Sequence, residues 1–270
     1  MNVLAHRIDG SGAPLVLLNG GMMTISSWDE IARALAASFT VIRCDFRGQL
    51  RSPGPAPADL SGHCADLAVL LDHLGVERAH LVGTSFGGEV AIEFAATRPE
   101  RTASLVAATV TDVASPEFRA GGARLRQACA AVVAGGDARM LWDTMTPVFY
   151  SPEWLGRHKA ELAIRREQFV TFPTALFDGI VALLVALDSL DLTALLPRIV
   201  CPTLIVMAGE DRVMAPEGGR ALVAGIRGAR IAVVEGSGHA LVAEQPGRFS
   251  ALCLEFITDV LATTRSGRES

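Results

Sequence analysis

The chain has 270 residues, half of them hydrophobic, with 24 basic against 29 acidic side chains and a formal net charge of −5. That is ample apolar material for a large core, and it offers no basic patch of the kind a nucleic-acid binder requires. The cysteines Cys44, Cys64, Cys129, Cys201 and Cys253 are scattered, with no CxxC pair and no metal-ligand spacing, so neither a disulfide framework nor a metal site is expected.

The segment Met1–Arg7 lacks the basic start and apolar stretch of a signal peptide. The longest uninterrupted apolar run, Ile180–Leu187, is far too short to span a bilayer. A cytoplasmic chain is the default expectation. Val3–Ile8 reads as a strand before the turn Gly10-Ser11-Gly12. Continuous apolar runs at 14–18, 40–44, 79–83 and 104–110 read as strands, separated by helix-period segments at 25–37, 60–74 and 87–97. Strands that are apolar on both faces and alternate with helices imply a mostly parallel twisted sheet covered on both sides, an α/β fold. From 114 to 197 the strand runs stop. Helical stretches at 117–134, 138–147, 152–169 and 174–187 are punctuated by Pro116, Gly135-Gly136, Pro147, Pro152 and Pro173. This reads as a helical cap, 114–197, inserted into a core made of 1–113 and 198–270. Strands resume at Pro202–Met207 and Arg230–Val234, and a closing helix follows. The polar tail Thr263–Ser270 is expected to fray.

Residues 83–87 read Gly-Thr-Ser-Phe-Gly, between an apolar strand and a helix. A G-x-S-x-G pattern in that setting is a nucleophile elbow, in which a tight turn holds the serine out from the sheet. An ordinary strand-to-helix turn has the same composition, so the rest of the chain must decide. On such a fold the partners follow in the order acid, then histidine. Asp211 follows the strand ending at Met207, and His239 lies in the loop Glu235-Gly236-Ser237-Gly238-His239 after the last strand. Glu210 is a reserve for Asp211. His6, His63, His73, His80 and His158 fall at the N-terminus, on helices or within a strand, and compete poorly. Ser85, Asp211 and His239 thus form a candidate triad: nucleophile, orienting acid and general base. For the oxyanion, the loop Asn19-Gly20-Gly21-Met22 offers the Gly21 N–H as partner to the Phe86 N–H.

On these motifs the chain resembles the α/β-hydrolase superfamily, over about residues 10–112 and 198–263. Asp45-Phe46-Arg47-Gly48 is similar to the family's Asp-x-Arg-Gly segment, which usually lies beside the active site. The layout resembles small capped serine esterases and enol-lactone hydrolases. Three departures stand out. The oxyanion loop begins Asn19-Gly20 where the family usually has His-Gly. Gln49-Leu50 stands where His-Gly usually follows Arg-Gly, and is expected to line the pocket floor. The segment before Asp211 is about one residue short. The family usually opens with two antiparallel strands, and here only one fits.

The resemblance implies hydrolysis of a carboxylic ester, lactone or thioester of a small to medium, fairly apolar molecule, with no cofactor and no metal. A C–C bond hydrolase or cofactor-independent lyase using the same residues, and a ligand-binding receptor on the same fold, are the alternatives. The partner is a small molecule, with a carrier protein if the substrate is a thioester, and no nucleic acid or membrane. Met22, Trp142, Phe149, Tyr150 and Trp154 are candidate substrate contacts, although most cap aromatics simply pack cap against core. Arg165-Arg166 could meet a substrate carboxylate, and reads more naturally as a solvated helix face.

Overall fold

The computed structural model describes residues 3–266. Strand β1 (His6–Asp9) leads into β2 (Ala13–Leu18), a single turn of tight helix at Ile25–Trp28, and α1 (Asp29–Leu35). Then come β3 (Phe39–Cys44), α2 (Leu60–His73), β4 (Ala79–Thr84), α3 (Phe86–Thr97) and β5 (Thr102–Ala108). Five helices follow without a strand: α4 (Pro116–Val133), α5 (Ala138–Phe149), α6 (Pro152–Arg157), α7 (Lys159–Phe169) and α8 (Thr174–Ala186). The chain closes with β6 (Thr203–Ala208), α9 (Pro216–Gly225), β7 (Arg230–Val234), α10 (Leu241–Glu244) and α11 (Pro246–Ser266).

Among the described residues the strands form one seven-stranded sheet in the order β1-β3-β2-β4-β5-β6-β7. Only β1 is antiparallel, paired with β3; every other pair is parallel. Strand alternation shares the side chains between two cores. Val16, Leu18, Ile42, Leu81, Leu105, Ala107, Ile205 and Met207 pack with α2, α3 and α9 on one face. Leu15, Leu17, Val41, Val82, Val106, Ala108, Leu204 and Val206 pack with α1 and α11 on the other. Both faces are dry over the inner strands β2 to β6, which is why those strands read as continuous apolar runs, whereas the edge strands β1 and β7 are partly exposed.

The inserted helices have an apolar cluster of their own, built from Cys129, Leu141, Trp142, Phe169, Leu176, Phe177 and Ile180. Met22 and Leu50 from the sheet side pack against it. The root of the insertion is sealed by backbone bonds: Ala114 N–H donates to Leu190 O at 2.9 Å, and Leu192 N–H to Asp112 O at 2.8 Å. Among the described residues no single helix is long and apolar enough to cross a membrane.

Several boundaries differ from expectation. The helix expected over 152–169 is two, broken at His158, whose Nδ1 turns back to the Trp154 carbonyl at 2.8 Å. α5 does not stop at Pro147 but runs to Phe149, because the proline falls in the last turn and Tyr150 N–H still reaches Thr146 O at 3.1 Å. β5 ends at Ala108, because Thr109 takes φ = 50° and leaves the strand. Helical structure persists from Thr263 to Ser266, where a frayed tail is expected; the remainder of that tail lies outside the described residues.

Candidate active site

Ser85, Asp211, His239 and Gly21 all lie in loops at the C-terminal ends of parallel strands, where open α/β sheets place their sites. Ser85 sits between β4 and α3 with φ = 50° and ψ = −128°, a conformation that L-residues rarely adopt. The flanking glycines explain why the turn can be made. A Cβ on Gly83 would collide with the Gly87 carbonyl, and one on Gly87 with the Leu18 and Asn19 carbonyls. The elbow is fixed from below: Ser85 N–H donates to Ala108 O at 2.9 Å, and Ser85 O accepts from Gly88 N–H at 2.6 Å and Glu89 N–H at 3.1 Å.

His239 stands between the other two residues. Its Nε2 lies 3.1 Å from Ser85 Oγ, and its Nδ1 lies 3.0 Å and 3.2 Å from the two Asp211 carboxylate oxygens. The Asp211 side chain is fully buried and that of His239 nearly so. Asp211 Oδ1 also accepts the Val213 and Met214 N–H groups, both at 2.8 Å, so the carboxylate cannot swing away without stranding two amides. Glu210 is exposed; only its backbone joins the site, donating to Ser237 O at 2.9 Å. Of the two acids open in the sequence, the fold thus aims Asp211 at the imidazole. An imidazole held this way can take a proton from Ser85 and keep its charge balanced by the buried carboxylate.

Phe86 is the first residue of α3, so its N–H is one of those a helix start leaves without an intrahelical acceptor. Gly21 is half-buried in the loop after β2, with open space where a Cβ would stand. That loop rests on a buried polar network. Asn19 Nδ2 donates to Asp45 Oδ1 at 3.0 Å and to Gln49 Oε1 at 3.1 Å, while Asn19 Oδ1 accepts the Trp28 indole N–H at 2.8 Å. Gln49 Nε2 donates to Gly20 O at 3.1 Å, and its Oε1 accepts Phe46 N–H at 2.8 Å. Asp45 also accepts Ile25 N–H at 2.7 Å and Arg51 N–H at 3.2 Å. The Gln49 side chain therefore does not line the pocket floor: it is buried and braces the glycine loop from beneath, while the Leu50 side chain packs on the inserted helices and the Gly48 carbonyl lies against Gly179 of α8. The two departures from the family pattern, at positions 19 and 49, are partners in one network.

Among the aromatic candidates, the Phe149 ring lies edge-on to His239, with centroids 5.3 Å apart. Met22 packs on the inserted helices, and Trp142 packs against Phe169 at 5.3 Å inside their apolar cluster. Tyr150, Trp154 and His158 form a stack, 4.7 Å and 4.1 Å between successive rings, with the Arg165 guanidinium 5.7 Å from the Trp154 ring. Arg165 pairs with Glu161, and Arg166 with Asp143 and Glu167. Among the described residues no group of three or more His, Cys, Asp or Glu side chains is arranged to hold a metal ion.

Two buried carboxyls escape a sequence reading. Glu89, on α3, is fully buried; burial pushes its pKa well above the ordinary range, and its Oε2 has no partner. Glu244, at the end of α10, is also buried and its pKa is raised by burial, but it is richly bonded: Ser151 Oγ donates to it at 2.6 Å and Gly238 N–H at 2.9 Å.

The profile of the Alpha/beta hydrolase family matches residues 15–252. A protein of Pseudomonas savastanoi pv. phaseolicola named "Putative carbamate hydrolase RutD" is 30% identical over 256 residues, 93% of this chain and 96% of that one. MGS-M2, an alpha/beta hydrolase enzyme from a Medee basin deep-sea metagenome library, superposes with a TM-score of 0.89 at 28% identity, covering 94% of each chain. The enol-lactonase from Burkholderia xenovorans LB400 superposes with a TM-score of 0.82 at 27% identity, covering 94% of this chain and 96% of that one. The chain belongs to the alpha/beta hydrolase family.

Proposed function

We propose that this hydrolase cleaves a carboxylic ester, lactone or thioester of a small to medium, fairly apolar substrate through an acyl-enzyme on Ser85. The observation that carries the reading is the continuous line Ser85 Oγ–His239–Asp211, with contacts of 3.1 Å and 3.0 Å. Ser85 Oγ attacks the carbonyl carbon as His239 Nε2 takes its proton. Asp211 holds the Nδ1–H tautomer and offsets the imidazolium charge. The carbonyl oxygen, now an oxyanion, is received by the N–H groups of Gly21 and Phe86; each such donor is worth roughly 100- to 1000-fold in rate. His239 returns its proton to the leaving group, then deprotonates the water that frees the acid and regenerates Ser85. The inserted helices serve as a cap over this site, with Met22 and Phe149 giving its mouth an apolar character. A carbamate is the second reading, favoured by the name of the Pseudomonas savastanoi relative; its carbonyl meets the same groups.

The test is intact-mass measurement after treatment with a fluorophosphonate, with Ser85→Ala alongside. The expected result is one adduct on the wild type and none on the variant, followed by multiple turnovers on a panel of p-nitrophenyl esters, lactones and carbamates. An unlabelled wild type, or a single slow turnover on every substrate, refutes the reading and leaves a ligand-binding protein on a hydrolase fold.

A further inference from the structure

The last turn of α5 and the link to α6 are bound to both loops that carry the acid and the base. Arg212, next to Asp211, donates to the Pro147 carbonyl at 3.1 Å. Ala240, next to His239, donates its N–H to the Phe149 carbonyl at 2.8 Å. Between these ties the Glu244 carboxylate gathers donors from both sides of the joint. Oε1 accepts Gly238 N–H at 2.9 Å and Ser151 N–H at 3.2 Å, and Oε2 accepts the Ser151 hydroxyl at 2.6 Å. The two backbones touch directly: a Cβ on Gly238 would stand 2.7 Å from Phe149 O and 2.8 Å from Ser151 N.

This arrangement bears on His239. The peptide N–H groups on either side of it, at residues 238 and 240, both end on this joint, one on Glu244 and the other on Phe149 O. The loop before it turns through Gly236 at φ = 67° and is tied on its other side by Ser237, whose carbonyl accepts Glu210 N–H at 2.9 Å and whose hydroxyl donates to Val234 O at 2.7 Å. Glu244 is only 8% exposed. A buried carboxylate is strongly unfavourable unless its oxygens are bonded, so the site must hold its donors in register with the joint.

We propose that Glu244 is a positioning residue for His239, whose carboxylate pins the α5–α6 junction onto the loop carrying the imidazole and thereby sets the reach of Nε2 toward Ser85. Glu244 touches no reacting atom; it acts through the Gly238 and Ser151 backbone. The proposal rests on the reading of Ser85 as nucleophile and His239 as base.

The experiment compares wild type, Glu244→Ala, Glu244→Gln and Ser151→Ala. It measures the rate of fluorophosphonate labelling, kcat and KM on p-nitrophenyl butyrate well below the lowest melting temperature, and the melting temperature itself. Misplacing a catalytic group by about 1 Å can cost on the order of 100-fold. Glu244→Ala is therefore expected to lower kcat and the labelling rate about 10- to 100-fold, with KM little changed. Glu244→Gln should retain most activity, because its amide oxygen still accepts both N–H groups and its NH2 donates to Ser151 Oγ. A folded Glu244→Ala that labels at the wild-type rate makes the residue a stability element only and overturns the proposal. So does a Glu244→Gln that loses as much as Glu244→Ala. If Glu244→Ala does not fold, Ser151→Ala decides: kcat must fall with KM held, and an unchanged kcat overturns the proposal. Failure of the wild type to label overturns the reading of Ser85 itself, and is distinguishable because it appears before any substitution at 244.

Discussion

Replacing Asn19 by alanine removes the centre of the network under the Gly20-Gly21 loop, and its cost can be worked out bond by bond. Asp45 keeps two donors, Ile25 and Arg51 N–H, and Gln49 keeps Phe46 N–H and Gly20 O. Trp28 has no such reserve: its indole N–H ends on Asn19 Oδ1, and the residue is 0% exposed. One buried donor left unpaired costs about 1–3 kcal/mol, and the small void adds to it. The Gly21 N–H would also lose its rigid footing, which should slow fluorophosphonate labelling about tenfold, less than outright loss of an oxyanion donor. The assay is urea unfolding combined with labelling kinetics, for Asn19→Ala, Trp28→Phe and the pair. If the orphaned indole is the main term, the pair should recover about 1 kcal/mol or more of the summed single losses, since groups in one network couple by that order. Strict additivity, or a cost for Asn19→Ala under about 0.5 kcal/mol, would refute the reasoning.

Asp211→Asn is expected to lower kcat by on the order of 10⁴-fold, because an amide favours the wrong imidazole tautomer, whereas Glu210→Gln should leave kcat close to wild type; equal losses would mean the acid has been misassigned. Burial pushes His63 and His80 down to about 4 from the ordinary 6.5. Each therefore protonates more readily in the unfolded chain, so stability is intact above about pH 6.5 and is lost as pH falls from there toward 4, by up to about 3 kcal/mol per histidine. Urea midpoints from pH 7 to pH 4.5 should drop accordingly. His63→Phe, which keeps the edge-on packing against Phe46 and Phe86 at 5.4 Å and 5.0 Å, should flatten part of that slope; an unchanged slope would count against it.

The sheet is legible in the sequence because its inner strands, β2 to β6, are buried on both faces and read as apolar runs, while the exposed edge strand β7 keeps the same β-branched composition. Ser85, Asp211 and His239 are legible because each lies in the short loop that follows a strand, so position along the chain is already position along one edge of the sheet. What the sequence conceals is held by distant pairs. Ser151 and Glu244 are 93 residues apart, and Glu244 alone is one more acid on a short helix. Gln49 is misread because its neighbour Leu50 does face the inserted helices, while the bonds that turn Gln49 inward come from residues 19, 20 and 46. The break at His158 and the early end of β5 at Thr109 are backbone events with no glycine or proline at the break itself, so local composition does not announce them.

All five thiols are buried, and burial raises each of their pKa values, to about 12 for Cys44 and Cys129. In the folded protein they are expected to alkylate slowly, since the thiolate is the reacting species and burial disfavours it. They become a built-in clock for opening. Cys129 lies among the inserted helices, whereas Cys44, Cys64, Cys201 and Cys253 lie against the sheet. Timed alkylation followed by peptide mapping would therefore read two free energies from one sample: how often the helices lift, and how often the sheet itself comes apart. A Cys129 that reacts ahead of the rest would show that these helices open locally while the sheet stays shut, without any substitution.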